Sequence, residues 1–177
     1  MTIASADSDV PARRHRVVGS PVGDLLVIAE GEAVCGLYFA NHRFDGDEAG
    51  ERADAGDPIL AAAESQLGEY FEGDRRGFDL PLVTHGKPFA ESVWQLLREI
   101  PYGTTVSYGD LAVRLGDRAF AQQVGQAVGS NPISIIVPCH RVIGADGSLT
   151  GFGGGLERKR ILLALEEPPA QEAGRLF

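Results

Sequence analysis

Two cysteines, one methionine and one tryptophan in 177 residues leave little room for chemistry that rests on many sulfurs. Cys35 and Cys139 are too few for a disulfide framework or a cysteine-rich zinc site. No apolar run approaches the roughly 20 residues that a membrane-spanning helix needs, which argues against an integral membrane protein. The opening stretch MTIASADSDVPARRHR has no apolar core of the signal-peptide kind, so export is not expected and the chain reads as cytoplasmic. Glycine is plentiful at 23 residues, but it follows no three-residue period, which excludes collagen. The remaining composition, 44% apolar and 23% charged, is that of a globular chain able to bury a core as one domain or two small ones.

The net charge of −9 argues at first against a nucleic-acid partner. Its distribution changes that. Residues 1–85 carry 16 acidic against 7 basic side chains, whereas residues 86–177 carry 9 of each. Much of the excess lies in DGDEAGERADAGD, Asp45 to Asp57, which reads as a solvated loop. From Ala119 to His140 there is no charged side chain except the terminal histidine. DNA bound there would be held with little phosphate attraction and a shallow salt dependence.

Short β-prone runs at Val17-Val18, Leu25 to Ile28 and Val34 to Phe39 predict a small antiparallel sheet, with Cys35 a buried apolar residue in the third. Asp57 caps a helix begun by Pro58, with Leu60, Ala63, Leu67 and Phe71 on one face. Phe78 to Val83 predicts another strand, and the connector Thr84 to Pro88 marks a boundary between domains 1–85 and 86–177. The second half reads as mostly helical. Phe89 to Ile100 is amphipathic and is ended by Pro101 and Gly103. Ser107-Tyr108-Gly109-Asp110 is a capping box, and Gly116 stops the short helix behind it. Asp117 starts another helix that ends at Asn131-Pro132. Such a pair matches a helix-turn-helix, a weak signal alone. Ile133 to Val137 predicts an extended core segment, Gly151 to Gly155 a glycine loop, and Leu156 to Glu166 a closing helix.

The informative stretch is NPISIIVPCHRVIG, residues 131–144. A cysteine at the end of a buried segment, followed by His140 and Arg141, can form a thiolate, because positive neighbours favour the charged form while burial opposes it. Adjacent side chains of an extended chain point to opposite faces, so His140 would reach the sulfur only through a water or a bend. An inert buried cysteine beside a core histidine is the plainer reading of these residues alone.

The longer stretch VGQAVGSNPISIIVPCHRVIGADGSLTGFGGGLERKRILLALE resembles the active-site region of O6-alkylguanine-DNA alkyltransferases, which repair alkylated DNA by a suicide reaction. PCHRV is the specific core; Asn-Pro before it, the glycine loop and Glu166 stand at the family's spacing. The resemblance is strong over residues 86–177 and loose over 1–85. It implies an α/β, ribonuclease-H-like N-terminal domain followed by a C-terminal domain with a winged helix-turn-helix. Cys139 would be the acceptor nucleophile, His140 its water-mediated base, Glu166 the orienter of that base and Asn131 the brace of the turn. Arg141 is read as a structural ion-pair partner. Tyr108 would donate to guanine N3 and help rotate the nucleotide out. Carbonyls of Cys139 and Val142 would accept from the exocyclic amine, and the Gly153 amide would point at O6. Ala121, Gln122, Gln123, Gly125 and Ala127 would face the DNA, in the minor groove, where small residues permit close approach and base identity is read poorly. The implied partners are double-stranded DNA and an alkylated guanine, or an O4-alkylated thymine, held by a monomer without cofactor.

Three departures from the family pattern stand out. Gln122 occupies the place of an arginine that fills the gap left by the flipped nucleotide; Arg118 lies four residues earlier. Phe152 and Gly153 stand where some relatives have tyrosine and serine, which gives a rim poorer in hydroxyls. The first half offers Cys35, His15, His42 and His85 without ligand-pair spacing, so no metal is expected. Two other readings remain open: a damage sensor of the same fold with weak or no transfer activity, and an unrelated thiol enzyme or helix-turn-helix regulator.

Overall fold

A computed structural model describes residues 10–40 and 48–168. Strands β1 (Arg13–Val18), β2 (Leu25–Glu30) and β3 (Ala33–Phe39) form an antiparallel meander. Gly31, at φ 59°, makes the tight β2–β3 turn in a backbone region that favours glycine. A two-residue strand, β4 (Glu51–Arg52), lies parallel to β1 and gives the sheet order β3-β2-β1-β4. Part of the acidic run is therefore sheet edge rather than loop, with Ala49 buried beside it; Asp45 to Asp47 fall outside the described residues. Helix α1 (Pro58–Phe71) begins at Asp57, whose carboxylate accepts from the Leu60 amide at 3.1 Å. It buries Leu60, Ala63, Leu67 and Tyr70 against the sheet, while Phe71 is only half-buried.

The strand expected over Phe78 to Val83 does not form. Pro81 has no amide to donate, so pairing is limited to a bridge in which Val34 N donates to Pro81 O and Val83 N to Val34 O. The second half is helical, with α2 (Pro88–Arg98), α3 (Tyr108–Arg114), α4 (Ala121–Gly129) and α5 (Leu156–Glu166). The capping box of α3 is complete in both directions. Asp117 caps a 3-10 turn, Arg118–Phe120, that leads into α4. Trp94 of α2 donates its indole N–H to Ala127 O at 2.8 Å and so pins α4 on α2. A parallel pair, β5 (Val106–Ser107) and β6 (Val142–Ile143), ties the start of α3 to the chain after Arg141.

The free edge of β3 joins the halves. Leu37 N donates to Pro132 O at 2.9 Å and Ser134 N to Leu37 O at 3.2 Å, so the segment leading to Cys139 is docked on the N-terminal sheet. The apolar residues of both halves form one continuous buried cluster. Among the described residues, no helix is long and apolar enough to cross a membrane.

Candidate active site

Cys139 opens a 3-10 turn, Cys139–Arg141, directly after Pro138. The extended segment expected before it is instead a chain of turns: Val137 N donates to Ile133 O, Cys139 N to Val137 O, and Ile135 sits at φ 71°. Apolar β-prone residues need burial more than they need a pleated strand, and here the core supplies it. Asn131 braces the turns from within. Its Nδ2 donates to Val137 O at 2.8 Å and its Oδ1 accepts from Ile133 N at 3.1 Å. With three residues per turn, neighbouring side chains no longer point to opposite faces, which removes the obstacle an extended chain would impose on Cys139 and His140.

His140 is fully buried, and its Nε2 lies 2.8 Å from Glu166 Oε1, itself buried at the end of α5. Arg141 grips the same carboxylate as a fork, Nε to Oε2 and Nη2 to Oε1, both at 2.8 Å, and donates Nη1 to Ile100 O. Burial alone would raise the Glu166 pKa, but the hydrogen bonds from His140 and Arg141 outweigh it and hold it at about 2. An ionised Glu166 requires the proton on Nε2, which leaves Nδ1 as the basic nitrogen. That atom is buried and has no protein hydrogen-bond partner. Burial pushes the His140 pKa down, with the Glu166 hydrogen bond opposing, so the ring is neutral and able to accept a proton. Burial also pushes the Cys139 thiol up, against weaker opposition from Asn131 and the Lys159 charge. A thiol that is protonated at rest needs a base at the moment of attack.

Cys139 lines a narrow cleft with Tyr38, Phe39, Val128, Asn131, Phe152 and Gly153. The cleft measures about 30 Å³, roughly one water's share of liquid volume, so a purine enters only if the rim moves. The glycine loop is that rim. It is held by Tyr108 Oη donating to Thr150 O at 3.1 Å, by Lys159 Nζ donating to Thr150 O at 3.0 Å, and by Arg158 donating to Gly154 O and Val22 O. Phe152 meets Phe39 edge-on at 5.5 Å, and a Cβ on Gly154 would stand 2.7 Å from that same Phe39 ring. Lys159 also donates to Val142 O at 2.6 Å, the carbonyl expected to receive the base's amine.

On α4, Gln122 and Gln123 are exposed and Ala121 and Gly125 half-buried. Ala127 does not belong with them. It is buried under the Trp94 contact, because at a three-residue spacing from Val124 it falls on the core face. Of the histidines in the first half, His15 Nδ1 lies 3.1 Å from Gly50 O and His85 Nε2 lies 3.0 Å from Glu30, while His42 is outside the described residues. Among the described residues, no group of three or more potential ligands comes together.

Two buried groups at the site were not legible in sequence reasoning. Tyr70 donates its hydroxyl to Glu166 Oε1 at 2.8 Å. The available signal was its place three residues after Leu67 on the buried face of α1. Lys159 hides in the charged run Glu157 to Arg160, yet stands three residues before Leu162 and seven before Glu166, on the inward face.

The fold and site define a two-domain thiol protein, in which a helical domain carries a buried imidazole–carboxylate pair beside its cysteine. Residues 14–84 match the ribonuclease-like domain of 6-O-methylguanine DNA methyltransferase, and residues 88–168 match its DNA binding domain. The chain belongs to this methyltransferase family. A methylated-DNA–protein-cysteine methyltransferase of Haemophilus influenzae is 43% identical over 156 residues, covering 88% of this chain and 87% of that one. Its counterpart in Mycolicibacterium paratuberculosis is 43% identical over 163 residues, covering 92% and 98%. The crystal structure of Mycobacterium tuberculosis OGT in complex with DNA superposes with a TM-score of 0.80 at 42% identity, covering 90% and 97%.

Proposed function

We propose that this chain rotates O6-alkylguanine out of double-stranded DNA and takes the alkyl group permanently onto Cys139. The observation that carries this reading is the buried cysteine followed by a histidine whose Nε2 is spent on Glu166 and whose Nδ1 is unpartnered. The Cys139 proton passes to Nδ1, through a water where the two do not touch. The sulfur attacks the carbon on O6 in line; the S–C bond forms, the C–O6 bond breaks, and its electron pair stays on the guanine. The proton held by His140 restores neutral guanine, directly or through solvent. Regenerating the thiol would require a thiolate to leave from an alkyl carbon, which it does poorly, so each chain reacts once.

The second half acts as a winged helix-turn-helix, with α4 in the minor groove and β5, β6 and the turn at Asp146 as the wing. The first half is of ribonuclease-H-like type, with the division near residue 85. The protein works as a monomer in the cytoplasm, without cofactor, and O4-alkylthymine enters by the same route. Tyr108 leaves Thr150 to meet the rotated nucleotide, and the Gly153 amide and Val142 carbonyl orient the base. Flipping costs a few kcal/mol, less for a weakened alkylated pair, so the lesion assists its own selection. Incubating protein with a duplex carrying O6-methylguanine and counting lesions lost per chain tests this. One lesion per chain, with no further loss, is expected; continued turnover or no loss contradicts it.

Gln122 brings neither charge nor a stacking guanidinium to the flipped-out gap. Gln122→Arg is expected to tighten duplex binding and steepen the logarithmic salt dependence by about one unit, measured by fluorescence anisotropy across salt. Unchanged affinity and slope would exclude Gln122 from the DNA-facing surface.

A further inference from the structure

We infer that Tyr70, from the N-terminal domain, is a positioning residue for the transfer reaction, because its hydroxyl shares with His140 the single carboxylate oxygen Glu166 Oε1. Three donors converge on that atom: Tyr70 Oη, His140 Nε2 and Arg141 Nη2, each at 2.8 Å. Among the described residues, Oε2 receives a single side-chain donor, Arg141 Nε. An oxygen that already holds a phenol proton and a guanidinium proton is a weaker acceptor for imidazole and pulls less strongly on the His140 ring. The phenol therefore trims the basicity of Nδ1 at the far side of the ring and fixes the angle at which the carboxylate meets it.

The placement has the marks of a built contact. Tyr70 is fully buried, 96 residues from its partner, and its ring is held edge-on by Tyr102 at 6.3 Å and beside Phe78 at 5.5 Å. Burial and the adjacent carboxylate push its pKa far up, so it stays a donor at every working pH. The other charged or titratable groups facing the pair are Arg141 from the reactive turn, Lys159 from α5 and Tyr102 after α2. None of them comes from the N-terminal domain. Tyr70 thus gives that domain a direct hold on the reacting centre, which the family resemblance had placed wholly in the second half.

The inference rests on the proposed role of His140 as base, and the test separates the two. Single-turnover transfer from a saturating O6-methylguanine duplex is followed against pH for the wild type, Tyr70→Phe and Tyr102→Phe. Tyr102 donates its hydroxyl to Leu165 O on the same helix and touches no carboxylate oxygen, so its variant controls for lost packing and stability. Removing the Tyr70 hydroxyl leaves Oε1 a stronger acceptor, which favours protonated His140. The acid limb of the Tyr70→Phe profile is expected to move to higher pH by about half a unit, with a plateau rate roughly threefold to tenfold lower. Tyr102→Phe is expected to keep the wild-type midpoint. Coincident midpoints for wild type and Tyr70→Phe overturn the inference while leaving the functional reading intact. A wild-type profile with no acid limb, or no transfer at all, overturns the functional reading and the inference with it.

Discussion

Cys139→Ser is expected to bind a duplex containing O6-methylguanine and to leave every lesion in place. A serine hydroxyl is smaller than the thiol, so the cleft and the turn braced by Asn131 persist. Its proton is far harder to remove, and a neutral imidazole of depressed pKa cannot supply the difference. Loss of transfer should therefore be complete within measurement, while gel-shift affinity for the lesion stays near that of the unreacted wild type. Residual transfer in Cys139→Ser would move the nucleophile elsewhere, and Cys35, half-buried in β3 with its thiol pKa raised by burial, is a poor substitute.

Glu166→Ala is expected to be the most damaging single substitution for stability. The carboxylate accepts from His140, Arg141 and Tyr70, and its removal strands a buried guanidinium without counter-charge. Breaking a buried pair in this way costs about 3–5 kcal/mol, which chemical denaturation at neutral pH will register as a lower midpoint. The pH dependence follows from the depressed carboxyl. Its folded pKa of about 2 lies below the ordinary 4.5, so its stabilisation is complete above pH 4.5 and is lost as pH falls toward 2. The gap between wild type and variant should be widest above pH 4.5 and close across that window; a gap that stays constant would mean the carboxylate is not the source. The double variant Glu166→Ala/Arg141→Met is expected to recover part of the stability and none of the transfer rate, which separates the carboxylate's structural role from its orienting one.

The parts of this molecule that local chemistry dictates were legible beforehand. Asp57 before Pro58, the Ser107 and Asp110 box and Gly155 before Leu156 each act within about four residues, and α1, α3 and α5 begin where those signals stand. The turn chain over Ile133 to Val137 was not legible, because its apolar residues read as a strand and only the long-range docking on Leu37 shows how they are satisfied. Leu82 and β4 failed for the same reason: their pairing depends on Val34 and β1, far away in sequence. At the site, Cys139, His140 and Glu166 were singled out through the family resemblance, and the fold brings His140 and Glu166 together. Tyr70 and Lys159 were hidden, since a tyrosine on a helix face and a lysine in a charged run declare nothing until the fold buries them. Ala127 shows the converse: a small residue suited to a DNA surface is used for core packing under Trp94.

The central claim is that one sulfur, served by one imidazole, accepts the lesion's alkyl group for good. Intact-mass measurement of the wild-type chain after reaction with an O6-methylguanine duplex, followed by peptide mapping, tests it most directly. The expected result is a single added methyl group per chain, located on Cys139 and stable to repurification. Unmodified protein, or a methyl group mapped to any other residue while the lesion disappears, would contradict it.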